Sequence, residues 1–386
     1  MIIYLDVSYT AQSAFNTGIQ RVVWNMTREM CINEYIIPIV LNGDGYYTCK
    51  RFNEQLLYLP KYQLGGNKVE FKTGDVLFLP DSTWDSQIKN NKSIKYLKDN
   101  GVCVVSLIHD LIPITHPSFC YDGCVSMFSE WAYGLQENVH GTLCVSEYVV
   151  NTVKTILKWE KPITSLYLGC DLKSTCTPFQ IPTGKNILMV STVEPRKGYD
   201  VAVKAMNTFW ETSDHSVNLI IVGTYGWKVD HIKTLITENT ELNKRLFWYD
   251  KVPDGELVYL YQNCDVLLFA SEVEGFGLAT VEASFYGKPV ILRDREIFRE
   301  IGGNNAVYFD TPSELCTIIR EWDDGTMTLP SSSGIKRVTW KECAQECIKK
   351  LIDMRHTYMS EFLSKRTIFK NEKIDTYLNI KHASRI

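Results

Sequence analysis

The strongest constraint on the fold is a repeated alternation of apolar runs and amphipathic helical stretches. Residues 102–108 (Val-Cys-Val-Val-Ser-Leu-Ile) are almost continuously apolar, which is typical of strands buried on both faces of a parallel sheet. The stretch that begins at Gly18 has apolar residues at 19, 22, 23, 26 and 30, which is helical spacing. Strands that alternate with such helices predict βαβ units and an α/β fold.

The alternation stops once and then restarts. Residues 172–185 are rich in Ser, Thr, Pro and Gly, and this composition indicates a linker. We therefore predict two Rossmann-like, doubly wound halves that face each other across a cleft, residues 1–175 and residues 185–358. Open α/β sheets bind ligands at the carboxyl ends of their strands, so we expect the functional residues there.

Composition limits the classes of function. Hydrophobic residues make up 45% and charged residues 22% of the chain, as in ordinary soluble domains. The net charge of −4 gives no reason to expect nucleic acid as a partner. No secretory signal and no apolar run of about 18 residues is visible, so we expect a cytoplasmic protein.

The 12 cysteines are scattered along the chain, and we expect free thiols. Cys120 and Cys124 lie four residues apart, as do Cys343 and Cys347, but no further ligands stand nearby. We therefore expect no metal site. Neither a Walker A sequence nor a Gly-x-Gly-x-x-Gly turn is present, which disfavours ATP hydrolysis and a dinucleotide cofactor.

Two carboxylates bracket a turn of small residues in the second half, from Glu274 to Glu282 (Glu-Gly-Phe-Gly-Leu-Ala-Thr-Val-Glu). The run before it predicts a buried strand and the run after it a helix. A helix N-terminus with free N–H groups favours an anion or a hydroxyl-rich ligand. On spacing alone, a plain βα turn with two unrelated glutamates is the alternative.

A pair of cations, Arg196 and Lys197, follows another predicted strand and precedes a glycine and a helix. Arginine binds phosphate through two parallel hydrogen bonds, and lysine adds a point charge, so the pair suits a diphosphate. Fixed positive charge there would support a diphosphate leaving group. The alternative is a solvated pair.

Further candidates stand at strand ends of the first half. His109 and Asp110 end the run 102–108, and the alternative is a histidine satisfied by loop backbone. Asp81 and Trp84 follow the run 75–80. Thr17 and Gly18 open a helix whose N-terminus can face a ligand. Arg21 lies in its first turn, either at the ligand or on a solvated helix face.

The motifs in the second half resemble the donor-binding half of glycosyltransferase family 4. They are residues 252–257 (Val-Pro-Asp-Gly-Glu-Leu), Tyr261, residues 264–266, Ser271, residues 274–278, Glu282-Ala283 and residues 287–290. The first half is less similar, at residues 17–21 and 108–110. The Glu-Pro-Arg-Lys stretch resembles bacterial mannosyl- and rhamnosyltransferases of surface polysaccharide (O-antigen or capsule) synthesis.

This resemblance implies a GT-B fold and a retaining, metal-independent enzyme without a cofactor. Glu274 and the backbone amides after it would hold the sugar, and Glu282 the ribose. Lys197, aided by Arg196, would bind the diphosphate. The implied catalytic residues are His109, Glu274, Arg196 and Lys197. The implied donor-binding residues are Gly18, Glu274, Gly275, Phe276, Gly277, Leu278, Glu282, Val252 and Leu257. The implied acceptor-side residues are Thr17, Arg21, Asp81, Trp84 and Asp110.

The predicted function is transfer of a hexose from a nucleotide sugar, with GDP-mannose favoured, to a lipid-linked or growing surface polysaccharide. The alternatives are a rhamnosyl, fucosyl or glucosyl donor, a sugar-nucleotide epimerase, and a non-catalytic binding subunit. The resemblance also implies that residues 359–386 pack back on the first half. Their basic excess favours contact with an anionic membrane surface, at the inner face of the cell membrane.

Overall fold

The computed structural model describes residues 1–12, 17–43, 45–49, 66–82, 84–213 and 216–383, without the side chains of residues 85–91 and 365–383. Within these ranges the chain forms two mainly parallel sheets, one in each half. The predicted α/β class is therefore confirmed. Residues 172–184, in the predicted linker, contain no helix or strand.

The first sheet has seven strands in the described residues, in the order β3-β2-β1-β4-β5-β6-β7. All neighbours are parallel except β2 and β3, which form an antiparallel hairpin. The strands are β1 (Ile3–Asp6), β2 (Ile36–Asn42), β3 (Gly45–Thr48), β4 (Val76–Leu79), β5 (Cys103–Ile108), β6 (Gly141–Cys144) and β7 (Ile163–Ser165). The helices of this half are α1 (Gly18–Met30), α2 (Trp84–Asp99), α3 (Ile112–Thr115), α4 (Asp122–Asn138) and α5 (Glu147–Leu157).

The second sheet has six parallel strands in the described residues, in the order β10-β9-β8-β11-β12-β13. They are β8 (Lys185–Val190), β9 (Val217–Val222), β10 (Leu246–Tyr249), β11 (Val266–Phe269), β12 (Val290–Arg293) and β13 (Val307–Phe309). The helices are α6 (Tyr199–Thr212), α7 (Asp230–Thr237), α8 (Asp254–Asn263), α9 (Leu278–Phe285), α10 (Glu296–Gly302), α11 (Pro312–Asp323) and α12 (Trp340–Ala383).

Each sheet reverses its strand order once, between β1 and β4 in the first and between β8 and β11 in the second. At such a switch point the connections leave in opposite directions, and a crevice opens beyond the carboxyl ends of the two strands. Arg196 and Lys197 follow β8, and Glu274 follows β11. The topology therefore brings the predicted cations and the first glutamate to one crevice.

Helix α1 illustrates why a helix could be predicted from the spacing of apolar residues in the sequence. The backbone N–H of Thr17 donates to the side-chain oxygen of Gln20 at 3.2 Å, which is one half of a capping box. The residues at helical spacing, including Val22 and Met26, are buried. The start predicted at Gly18 is confirmed. The sequence pattern predicts neither α3 nor α10, since each is too short to show a helical period.

Helix α12 follows the second sheet but packs on the first half. The Arg355 Nε donates to the carbonyl of Gly74 at 2.6 Å, and the Tyr358 hydroxyl to that of Lys98 at 2.9 Å. The helix therefore reaches the first half before residue 359, earlier than the resemblance implies. The role predicted for the basic tail falls on residues 365–386, whose side chains lie outside the described part. The domain boundaries stay predictions.

None of the 12 cysteines forms a disulfide bond. In the described ranges, no group of three or more His, Cys, Asp or Glu side chains is arranged to hold a metal ion. None of the helices described here combines the length and hydrophobicity that a membrane crossing requires.

Gly198 links the cation pair to β11, and its substitution should destabilise the second half. Its φ of +70° lies in the left-handed region, and a Cβ would stand 2.0 Å from the carbonyl oxygen of Ala270. We expect Gly198→Ala to lower the free energy of unfolding by about 2–4 kcal/mol, because backbone strain and a steric clash add. Urea denaturation monitored by fluorescence would measure this.

Gly325→Ala is the matched control for this substitution. Gly325 has a φ of +81°, but a Cβ there would meet no atom of the described residues within 4 Å. Gly325→Ala should lower the free energy of unfolding only through the left-handed backbone strain, by about 1–2 kcal/mol. Equal losses in the two variants would contradict the role of the Ala270 contact.

Candidate active site

The loop after β11 touches the end of β5 in the other half. A Cβ on Gly275 would lie 1.8 Å from the carbonyl oxygen of His109, so the two backbones meet where only glycine fits. The Ser146 hydroxyl donates to the carbonyl of Gly275 at 2.6 Å. The loop that carries Glu274 is thereby held against the strand ends of the first sheet.

The carboxylate of Glu274 is buried between the two predicted cations. Arg196 Nη1 lies 3.0 Å from Oε2, and Lys197 Nζ lies 2.5 Å from Oε1. Burial alone would raise the pKa of Glu274, but the two cations outweigh it and lower that pKa to about 2. Lys197 is only 9% exposed, so the alternative of a solvated cation pair is wrong.

A second carboxylate, Glu194, stands beside the same cations and has no role in the sequence predictions. It is 1% exposed, and its Oε1 lies 2.7 Å from Arg196 Nη2. Burial raises the pKa of Glu194, and the nearby cations oppose that effect. Its position in Glu-Pro-Arg-Lys, directly before the cations, was the signal that could have marked it.

Glu282 lies in α9 and is held by groups from both halves. The Tyr261 hydroxyl donates to Oε2 at 2.8 Å, and Arg21 Nη1 lies 3.1 Å from Oε1. Arg21 also forms an ion pair with Asp254 at the start of α8. The solvated helix face considered for Arg21 is therefore wrong. Its side chain belongs to α1 of the first half yet contacts the predicted ribose-binding residue.

His109 donates from Nε2 to the carbonyl of Pro80, at 2.8 Å. Burial lowers the pKa of His109, so the ring is neutral near pH 7, and Nε2 carries the proton because a carbonyl only accepts. Asp110 Oδ1 accepts from the N–H of Ile112, the first residue of α3, at 2.9 Å. These contacts are structural, and the predicted roles of both residues at the sugar and acceptor stay predictions.

Asp81 anchors the loop after β1. It accepts from the N–H and hydroxyl of Thr10, at 2.6 and 2.8 Å, and from the N–H of Ser82 at 2.8 Å. Burial raises its pKa to about 6. Trp84 packs against two aromatic rings of α4. The acceptor roles predicted for Asp81 and Trp84 stay predictions.

Gly277 precedes α9 in the left-handed region, at φ +91°, so glycine suits this turn. The helix begins at Leu278, and the ring of Phe276 is buried edge to face against Tyr167, at 4.8 Å. These residues form the strand, turn and helix predicted around the glutamates. Their backbone N–H groups are the predicted sugar contacts.

The other predicted donor contacts lie at the starts of two helices. Among the described residues, none lies within 4 Å of a Cβ built on Gly18, which follows Thr17 at the start of α1. Val252 is half-buried and Leu257 is buried. They flank Asp254, which Arg21 binds, and so border the surroundings of Glu282.

A further contact between the halves was not predicted. The Trp227 indole donates to the carbonyl of Phe119 at 2.7 Å, and Lys228 Nζ donates to the carbonyl of Ser118 at 3.0 Å. Both donors lie in the loop between β9 and α7. The two halves are thus joined near Glu282 by Arg21, in the middle by Gly275, and here by this loop.

Comparison with known proteins identifies a family domain in the second half of the chain. Residues 178–316 match the family model described as Glycosyl transferases group 1. The chain carries a domain of this family. The matched residues include Arg196, Lys197, Glu274 and Glu282.

Two relatives and one solved structure extend the comparison. The serotype-specific mannosyltransferase WbdA of Escherichia coli is 31% identical over 381 residues, which cover 90% of this chain and 44% of that protein. This chain thus spans less than half of WbdA. The O-antigen chain mannosyltransferase B of Escherichia coli is 23% identical over 272 residues, 66% of this chain and 71% of that protein. The structure of HepE from Anabaena in complex with UDP-glucose has a TM-score of 0.60 and 16% identity, covering 95% of this chain and 100% of that one. The structural likeness confirms the predicted GT-B fold.

Arg21→Ala should destabilise the protein strongly, because it leaves the buried carboxylate of Glu282 without its cation. We expect the free energy of unfolding to fall by about 3–5 kcal/mol, measured by urea denaturation. Arg299→Ala is the control, since Arg299 and its partner Asp294 are 52% and 44% exposed, and it should change the free energy of unfolding by less than about 1 kcal/mol.

A second substitution tests the cause of that loss. Glu282→Gln removes the buried charge, so the Arg21→Ala, Glu282→Gln double variant should recover stability relative to Arg21→Ala alone. If the double variant is as unstable as the sum of the two single variants, the ion pair is not the cause.

Proposed function

We propose that this chain is a retaining glycosyltransferase that moves a hexose from a nucleotide sugar to a growing glycan. The observation that carries the proposal is the buried cluster of Glu274, Arg196 and Lys197 at the switch point of the second sheet. A carboxylate that accepts from sugar hydroxyls is held there beside two cations that suit a diphosphate. These are the two chemical parts that meet at the reacting bond of a nucleotide sugar.

The rest of the donor would extend toward Glu282. This carboxylate suits the vicinal hydroxyls of a ribose, and it accepts from Tyr261 at 2.8 Å. Residues 252–257, close to Arg21 through Asp254, would border the base. The N-terminus of α9, after Gly277, adds backbone N–H groups and a positive dipole end next to the sugar.

The transfer step can be written from these groups. The bond between the anomeric carbon and the phosphate oxygen breaks, and a bond to the acceptor oxygen forms on the same face. The departing phosphate takes the acceptor's proton. Lys197 and Arg196 stabilise the charge that develops on that phosphate. We propose that these cations make a metal unnecessary, so transfer should persist in EDTA.

Mannose is the sugar that we propose, with GDP-mannose as donor. The mannosyltransferases named above support this choice, and the O-antigen relative supports a lipid-linked or growing surface polysaccharide as acceptor. Family 4 stays the proposed classification. We also propose that the basic tail contacts anionic lipid at the inner face of the cell membrane. Deleting residues 365–386 should then reduce sedimentation with phosphatidylglycerol vesicles, and unchanged sedimentation would exclude the tail.

A donor panel tests the function itself. The protein would be incubated with GDP-mannose, UDP-sugars and dTDP-sugars, with and without a mannose oligosaccharide acceptor, and the products analysed by mass spectrometry and NMR. Transfer with retained anomeric configuration supports the proposal. Conversion of the nucleotide sugar without acceptor would indicate an epimerase, and binding without turnover a binding subunit.

Lys197→Ala and Glu274→Gln should each lower kcat by about 100- to 1,000-fold, because each removes a fixed charge at the reacting bond. Circular dichroism and Tm would verify the fold. Lys204→Ala is the matched control, since Lys204 is an exposed lysine on the neighbouring helix α6, and it should transfer at the wild-type rate. Wild-type turnover in either site variant would exclude these residues from the site.

A further inference from the structure

Glu194 is a buried carboxylate that the proposed reaction does not use. It lies between β8 and the turn that carries the cations, and it is 1% exposed. In the described part of the chain, its oxygens accept no well-aligned hydrogen bond. Its close contact is the ion pair with Arg196, whose Nη2 lies 2.7 Å from Oε1.

This arrangement is costly, because a buried carboxylate normally collects several donors. The surroundings add to the cost, since Glu274 and Asp110 are negative and burial raises the pKa of Glu194. The presence of such a costly carboxylate at position 194 is explained by its effect on the cation that it contacts.

The partner is the guanidinium of Arg196, which is held on both edges. Nη2 faces Glu194, while Nη1 faces Glu274 Oε2 at 3.0 Å and the carbonyl of Val273 at 3.1 Å. Lys197 reaches the other oxygen of Glu274. Without Glu194, both cations would depend on the single carboxylate of Glu274. With it, Arg196 has a second carboxylate contact, and its guanidinium is held from two sides.

We propose that Glu194 is a positioning residue that fixes Arg196 for the donor diphosphate. The inference rests on the proposed function and concerns the same site. Glu194 has a second effect, because its carboxylate, like that of Glu274, offsets part of the positive charge of Arg196 and Lys197. A diphosphate therefore meets oriented but partly compensated cations, which limits how tightly the product nucleoside diphosphate is held.

Glu194→Gln keeps the shape of the side chain and removes its charge. We expect kcat to fall about tenfold, because a charge-assisted contact that orients Arg196 is lost. The Kd of GDP should fall about fivefold, because one negative charge near the phosphates is gone. A merely structural residue would lower Tm without tightening GDP binding. Isothermal titration with GDP, or with UDP if the panel selects a UDP-sugar, measures this.

Two variants control the result. Glu194→Asp retains the charge and should recover most of kcat. Glu211→Gln removes an exposed carboxylate on α6 and should match the wild type.

A double variant tests whether Glu194 acts through Arg196. In an Arg196→Ala background, Glu194→Gln should cause no further loss of kcat, because the residue acts through Arg196.

The outcomes separate this inference from the proposed function. The inference alone would be overturned if the wild type transfers the sugar but Glu194→Gln leaves both kcat and the Kd of GDP unchanged. It would also be overturned if the losses of kcat from Glu194→Gln and Arg196→Ala add in the double variant. A wild-type chain that neither binds a nucleoside diphosphate nor transfers a sugar would overturn both.

Discussion

Buried charges must be paired, and in this protein the pairing ties the two halves of the fold together. An unpaired buried ion costs far more than a surface ion pair gains. Glu274 meets its cations across the switch point of the second sheet, and Glu282 meets Arg21 from the first half. The positions of β8, β11 and α1 are therefore coupled to the carboxylates that the proposed function needs.

The two halves contact each other at several places along the cleft. Arg21 of the first half binds Asp254 of the second at one place, and Trp227 and Lys228 of the second half donate to backbone carbonyls of the first at another. Between these two places, the backbone of Gly275 packs closely against the backbone of His109. Under the proposed function, a ribose that binds Glu282 would meet a carboxylate that Arg21 of the first half already contacts. Donor binding would then be linked to the relative position of the halves through this ion pair.

Much of the local structure was predictable. The apolar spacing after Gly18 indicated α1, and the continuous apolar run before His109 indicated β5, because helices and buried strands leave different periods in a sequence. The turn and helix between Glu274 and Glu282 were also predicted. The short helix α3 was not, since four residues are too few to show a period.

The sequence by itself determined the elements, the α/β class and which charged residues stand at strand ends, because these follow from local periodicity and chain order. Only the tertiary structure decided which charges meet. Arg21 is 261 residues from Glu282, and no local pattern records that pairing. Glu194 looked like an ordinary turn residue beside two cations. Its burial became visible only once β8 and β11 were packed side by side, since desolvation depends on every neighbour and not on the neighbours in sequence alone.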